Sequence, residues 1–104
     1  MIKGYGVITS ETHLYEVIDK DQKQEHESHF VIHDDLDAAV TSLENNADLI
    51  VSALEKEFGD TFDEHVSVQY NYVGIDGRSE MKSYDIHVTS SSSVNIYKGE
   101  IVAL

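Results

Sequence analysis

The chain has 104 residues, of which 20 are acidic and 7 are lysine or arginine, so its formal net charge is −13 with histidine neutral. This length predicts one domain over residues 1–104, and 40% apolar residues are enough to give it a core. The charge argues against binding to nucleic acid or to an anionic membrane, because both are negatively charged. It favours a basic protein as partner.

Cysteine is absent from the sequence. Its absence excludes disulfides, thiolate catalysis and zinc sites built on sulfur. The first residues lack the apolar core of a secretory signal, and no run of about 20 apolar residues predicts a membrane span. We therefore expect a soluble, cytoplasmic protein.

Three short strands are predicted in the first third of the chain, at residues 2–9, 14–18 and 29–33. The SETH stretch at 10–13 predicts a turn, and the polar run at 19–28 predicts a long loop. Gly4 and Gly6 fall on one face of the first strand. Because glycine has no side chain, another element can approach this face closely, or the strand can form a bulge there.

Residues 34–59 carry the only sustained helical pattern. Its apolar positions recur every three or four residues and predict a core-facing stripe, made of Leu36, Val40, Leu43, Ala47, Ile50, Leu54 and Phe58. Asp34 or Asp35 is expected to cap the helix, and Gly59 to end it. Asn45 and Asn46 are weak helix formers that leave a kink open, but the unbroken apolar phase favours one helix.

Three further strands are predicted after the helix. Residues 65–73 and 82–89 alternate apolar and polar side chains, and Asp76-Gly77 between them is typical of a hairpin turn. Residues 94–104 predict a last strand after a short serine linker. The fold class is therefore α+β, a mainly antiparallel sheet covered on one face by a single long helix, in the order β-β-β-α-β-β-β.

The candidate metal and cofactor motifs each lack a feature that binding requires. His29 and His33 share a strand face with a separation of about 13 Å, too far for one ion, and His26 points the other way. The 19–30 stretch fails as a calcium loop, since Lys23 and Phe30 stand where oxygen ligands are needed. The early G-x-G is not followed by a helix. Neither a metal nor a cofactor is predicted.

Enzyme motifs are likewise missing. The sequence has no G-x-S-x-G elbow, and its single arginine, Arg78, lies beside a predicted turn and leaves phosphoryl transfer without a clamp. Many acids do not by themselves define two carboxylates held in different environments. A non-enzymatic protein is expected.

The predicted binding site is an acidic stripe on the helix, about 100° from the apolar stripe, formed by Asp37, Glu44, Asp48 and Glu55. Glu44 and Asp48 are a like-charge pair four residues apart, which costs a few tenths of a kcal/mol, so helix stability does not explain them. The stripe spans about 27 Å with four charges, where one DNA strand carries about eight phosphates. The predicted site therefore also includes acids of the 19–27 loop and the 60–64 segment, namely Asp19, Asp21, Glu25, Glu27, Asp60, Asp63 and Glu64.

The favoured function is a small inhibitor that occupies a basic, nucleic-acid-binding site on another protein. Phage-encoded anti-defence proteins, including anti-CRISPR proteins and DNA mimics, share this size and charge, an analogy of composition alone. The alternative is an immunity protein that neutralises a basic toxin such as a nuclease, and a third reading is a domain whose acidity only keeps it soluble. A free sheet edge can also pair with a second copy to give a homodimer.

Overall fold

The computed structural model describes residues 4–16, 22–75 and 78–104. Its elements in chain order are β1 (Tyr5–Glu16), β2 (Gln22–His33), α1 (Leu36–Phe58), one 3₁₀ turn (Gly59–Thr61), α2 (Phe62–His65), β3 (Val66–Ile75), β4 (Arg78–Thr89) and β5 (Ser93–Ala103). The predicted α+β class is confirmed, with a five-stranded antiparallel sheet and one long helix.

The predicted order β-β-β-α-β-β-β is wrong, because two strands and not three precede α1. Residues 10–13 continue β1 instead of turning, and residues 22–28 of the predicted loop belong to β2. The reason is pairing on both sides: Ser10 lies opposite Ser28 of β2 and Lys98 of β5, so the ladder continues through the polar stretch. Asp19 and Asp21 lie outside the described residues.

The sheet order is β2-β1-β5-β4-β3, and every neighbouring pair is antiparallel. The last strand therefore returns to the middle, between β1 and β4. Strands β3 and β4 pair as far as Ile75 and Arg78, consistent with the predicted hairpin, whose turn residues 76 and 77 lie outside the described residues. This order leaves β2 and β3 as the two edges.

Helix α1 begins and ends as its sequence predicts. Asp35 is the N-cap, and its Oδ1 accepts a hydrogen bond of 2.7 Å from the Ala38 amide. Gly59 ends the helix at φ 53°, a left-handed value that glycine adopts without strain. Asn45 and Asn46 lie within one continuous helix.

The core lies between α1 and one face of the sheet, the helix-bearing face. Val40, Leu43, Ala47 and Leu54 of the predicted stripe are buried, and the remaining three members pack partly buried against them. From the sheet side the core receives Val7, Tyr84, Ile86, Val88 and Ile101. The stripe prediction is confirmed. The other face of the sheet, the open face, has no helix over it among the described residues.

Tyr84 is the largest fully buried side chain and lies flat on the sheet at Gly99. A Cβ atom at position 99 would overlap the Tyr84 ring and come within 2.8 Å of Leu43 Cδ1, so only glycine leaves room for the ring. Burial raises the pKa of Tyr84 to about 12, and the nearby charge of Glu11 adds to the shift.

Candidate protein-binding surface

The four acids of the stripe are all exposed on α1. Asp48 and Glu55 lie on the flank of the helix next to β3, as the environment of Tyr70 on that strand indicates. The pKa of Tyr70 is raised first by burial, then by the charge of Asp48, with further contributions from Tyr72 and Glu55. Helix geometry therefore fixes the stripe beside the core and above one edge of the sheet.

The stripe is poor in compensating positive charge. Helix α1 contains a single cation, Lys56, in its last turn, and the residue four positions before it is Ser52. No glutamate-to-lysine pair of the stabilising i, i+4 kind is formed within the helix, whereas Glu44 and Asp48 are like charges at that spacing. The arrangement does not optimise helix stability.

The acids that follow α1 are held in place by the short α2. The His65 ring stacks on Phe58 at 4.7 Å between centroids, and its Nδ1–H donates to the Thr89 carbonyl at 2.8 Å. Thr61 Oγ1 donates to the Phe58 carbonyl at 2.9 Å. These contacts fix three exposed acids at the C-terminal end of α1, namely Asp60, Asp63 and Glu64.

Glu25 and Glu27 lie in strand β2 and not in a loop. They stand opposite His13 and Glu11 of β1, in alternate positions that include the core residue Val7, so both point to the helix-bearing face. Glu27 lies 3.4 Å from the ring of His29. A hydrogen bond with Glu25 raises the pKa of Tyr15. These two acids border the β2 edge, whereas the stripe borders the β3 edge.

Glu11 and Glu57 belong to the same surface but were not predicted as site residues. Burial raises the pKa of Tyr97 on β5, and the charges of Glu11 and Glu57 raise it further, which places both acids around this ring. They connect the acids of β2 with the end of α1. This contact could not be predicted from residue patterns, because it depends on β5 lying next to β1.

The acids thus form an arc around the C-terminal end of α1, here called the acidic arc. It runs from Glu25 and Glu27 through Glu11 and Glu57 to the 60–64 segment, and then along the stripe. Lys23 of β2 and Lys56 of α1 lie on this side of the molecule. The open face is more balanced, since Lys98 lies 3.7 Å from Asp85 there.

A separate cleft opens where β4 leaves β5 beyond Ser83. Its volume is about 450 Å³, and its walls are mainly apolar, including Leu36, Met81 and Ile101. Glu80, Lys82 and Glu100 also line it. The cleft lies towards the start of α1, at the opposite end of the helix from the 60–64 acids, and its lining indicates room for an apolar group.

Within 4–16, 22–75 and 78–104 no three histidine, aspartate or glutamate side chains are placed to hold a metal ion together. His26 instead pairs with the Thr12 hydroxyl on the open face, at 2.8 Å. None of the described helices is long and apolar enough to cross a membrane.

Comparison with protein-family models, curated proteins and solved structures gave no match.

Proposed function

We propose that this protein is a non-enzymatic inhibitor that binds a basic, nucleic-acid-binding site on a partner protein through the acidic arc. The observation that carries the proposal is the one-sided charge: the predicted site acids of the helix, of β2 and of the 60–64 segment all lie on the helix-bearing side. In its finer form the proposal is a DNA mimic of the anti-CRISPR or related anti-defence type.

The charge density of the arc supports this partner class. The stripe alone supplies four charges over about 27 Å, about half the phosphate density of one DNA strand. Glu11, Glu57 and the acids of β2 and the 60–64 segment extend that charge around the helix end. A surface of this kind repels nucleic acid and attracts the basic groove that would otherwise hold it.

The test compares two variants that remove the same number of charges. Asp48→Asn/Glu55→Gln neutralises two acids of the stripe, and Asp85→Asn/Glu100→Gln neutralises two on the open face. Each protein is immobilised, partners are captured at low salt and identified by mass spectrometry, and association with the captured partner is measured. We expect the stripe variant to slow association about tenfold or more, and the open-face variant to change it much less.

Competition with nucleic acid gives the second measurement. We expect a DNA or RNA ligand of the captured partner to displace this protein. Equal association rates for both variants, or simultaneous binding of nucleic acid and this protein, would contradict the proposal. Capture of a nuclease toxin that is neutralised in the complex would instead identify an immunity protein.

A further inference from the structure

Strand β2 is an edge strand whose outer side is not paired with any strand of the described molecule. It is 12 residues long, and all of them pair on the inner side with β1. The outer backbone N–H and C=O groups therefore form a template onto which another strand can add. Natural edges of this length are normally shielded by proline, by lysine or by a covering element.

The exposed end of β2 is apolar instead. Phe30, Val31 and Ile32 are consecutive, and their side chains are 51%, 52% and 58% exposed. Because side chains alternate along a strand, Val31 points to the helix-bearing face while Phe30 and Ile32 point to the open face. Phe30 packs over Gly6, where a Cβ would overlap its ring. Both faces of the edge thus present apolar surface.

We propose that this edge binds the same edge of a second copy of the chain, in an antiparallel ladder centred on Val31. The sequence His-Phe-Val-Ile-His is self-complementary about that centre. A two-fold axis there places Val31 opposite its own copy, Phe30 opposite the second Ile32, and His29 opposite the second His33. Self-complementarity of this kind is what a two-fold interface requires.

The position of the acidic stripe favours this edge over the other for a second copy. Residues 28–33 contain no acid, so the ladder itself places no two carboxylates opposite each other. The β3 edge also lacks acids, but the stripe lies beside it through Asp48 and Glu55. Two copies joined at β3 would bring their stripes together. The β2 pairing leaves both stripes at the outer edges of a ten-stranded sheet.

A ladder of about five residues is a small interface, so we expect a dissociation constant in the range of about 10–100 µM. Sedimentation of the full chain at concentrations from about 10 to 500 µM should show reversible dimers. Val31→Lys should raise the dissociation constant about tenfold or more, because a charge would be buried in the ladder. Val73→Lys on the β3 edge should leave it unchanged.

Cysteine crosslinking tests the register of the ladder. The chain has no natural cysteine, so an introduced cysteine can form a disulfide only with the same residue of a second copy. Residues directly opposite in an antiparallel ladder have Cα atoms about 4.5–5.5 Å apart, within the range of a disulfide. Val31→Cys should therefore form a disulfide-linked dimer in diamide. Ser28→Cys should not, since its two copies would be about 20 Å apart, and neither should Val73→Cys.

Three results would overturn the proposal. One is a wild-type protein that stays monomeric throughout the concentration range, which would leave the edge to a strand of another protein. Another is loss of the dimer in Val73→Lys with retention in Val31→Lys, which would assign the interface to β3. The last is crosslinking of Ser28→Cys as fast as that of Val31→Cys, which would exclude this register.

Discussion

Replacing Leu43 by alanine is expected to lower the free energy of unfolding by about 2–5 kcal/mol. Leu43 has no exposed surface, and it packs where α1 crosses the sheet beside Tyr84 and Gly99. Truncation removes apolar contacts and leaves a cavity that the sheet cannot close by moving, because the Tyr84 ring already rests on the backbone at Gly99. A domain of this size is stable by about 5–15 kcal/mol, so the loss is a large share.

Leu49 on the same helix provides the matched control. Its side chain is 71% exposed, and it lies outside the apolar stripe. Leu49→Ala makes the same chemical change, and alanine favours the helix at least as well as leucine does, so we expect a change within about 0.5 kcal/mol. Urea unfolding of both variants at low protein concentration gives the comparison. Equal losses would mean that α1 does not pack on the sheet through Leu43.

The helix and its stripe could be predicted because the spacing of apolar and polar residues along the helix indicates which side is buried. Apolar residues at helical spacing face the sheet, Asp35 caps the first turn, and Gly59 ends the last one. The strands after the helix could be predicted for the same reason, since Tyr84, Ile86 and Val88 alternate into the core. In these segments one face is buried and the other is exposed to solvent, so apolar and polar residues recur in the sequence with the matching period.

Strand β2 was misread because most of its length is exposed to water on both faces. Residues 23–32 of β2 are all exposed, so no alternation marks the strand, and its polar first half looks like a loop. In β1 the polar stretch at 10–13 looks like a turn, yet it pairs with strands on both sides. Strand pairing contributes backbone hydrogen bonds whatever the side chains are. A strand that is held by pairing alone therefore shows no alternation of apolar and polar residues.

Some residues of the candidate site could be predicted from local spacing, whereas others depend on the order of the strands in the sheet. The stripe is local to one helix, so spacing alone places Glu44 and Asp48 together. The approach of Glu11 and Glu57 to Tyr97 requires β5 to lie beside β1, which joins residues far apart in the chain. The choice between the β2 and β3 edges has the same origin, since only the strand order identifies which strands are unpaired.

Between pH 10 and pH 12 the protein is expected to lose about 2 kcal/mol of stability through Tyr84 alone. Its pKa is 10.0 in the unfolded chain and about 12 in the fold, where the residue is 2% exposed. A raised pKa means that the fold holds the neutral phenol more favourably than the phenolate. This contribution is complete well below pH 10 and is lost as pH rises through about 12, and its total corresponds to about 1.36 kcal/mol for each unit of the pKa shift.

Tyr84→Phe isolates this contribution, because phenylalanine keeps the ring on Gly99 and removes the ionisable group. Burial also raises the pKa of Tyr70 and Tyr97, so the wild-type curve should fall by more than the Tyr84 amount. Urea unfolding of both proteins at steps from pH 8 to pH 12 should give curves that run parallel well below pH 10, and by pH 12 the wild-type curve should have fallen by about 2 kcal/mol relative to that of Tyr84→Phe. Curves that stay parallel throughout would show that Tyr84 ionises as readily in the fold as in the unfolded chain, and hence that its ring is not enclosed between α1 and the sheet.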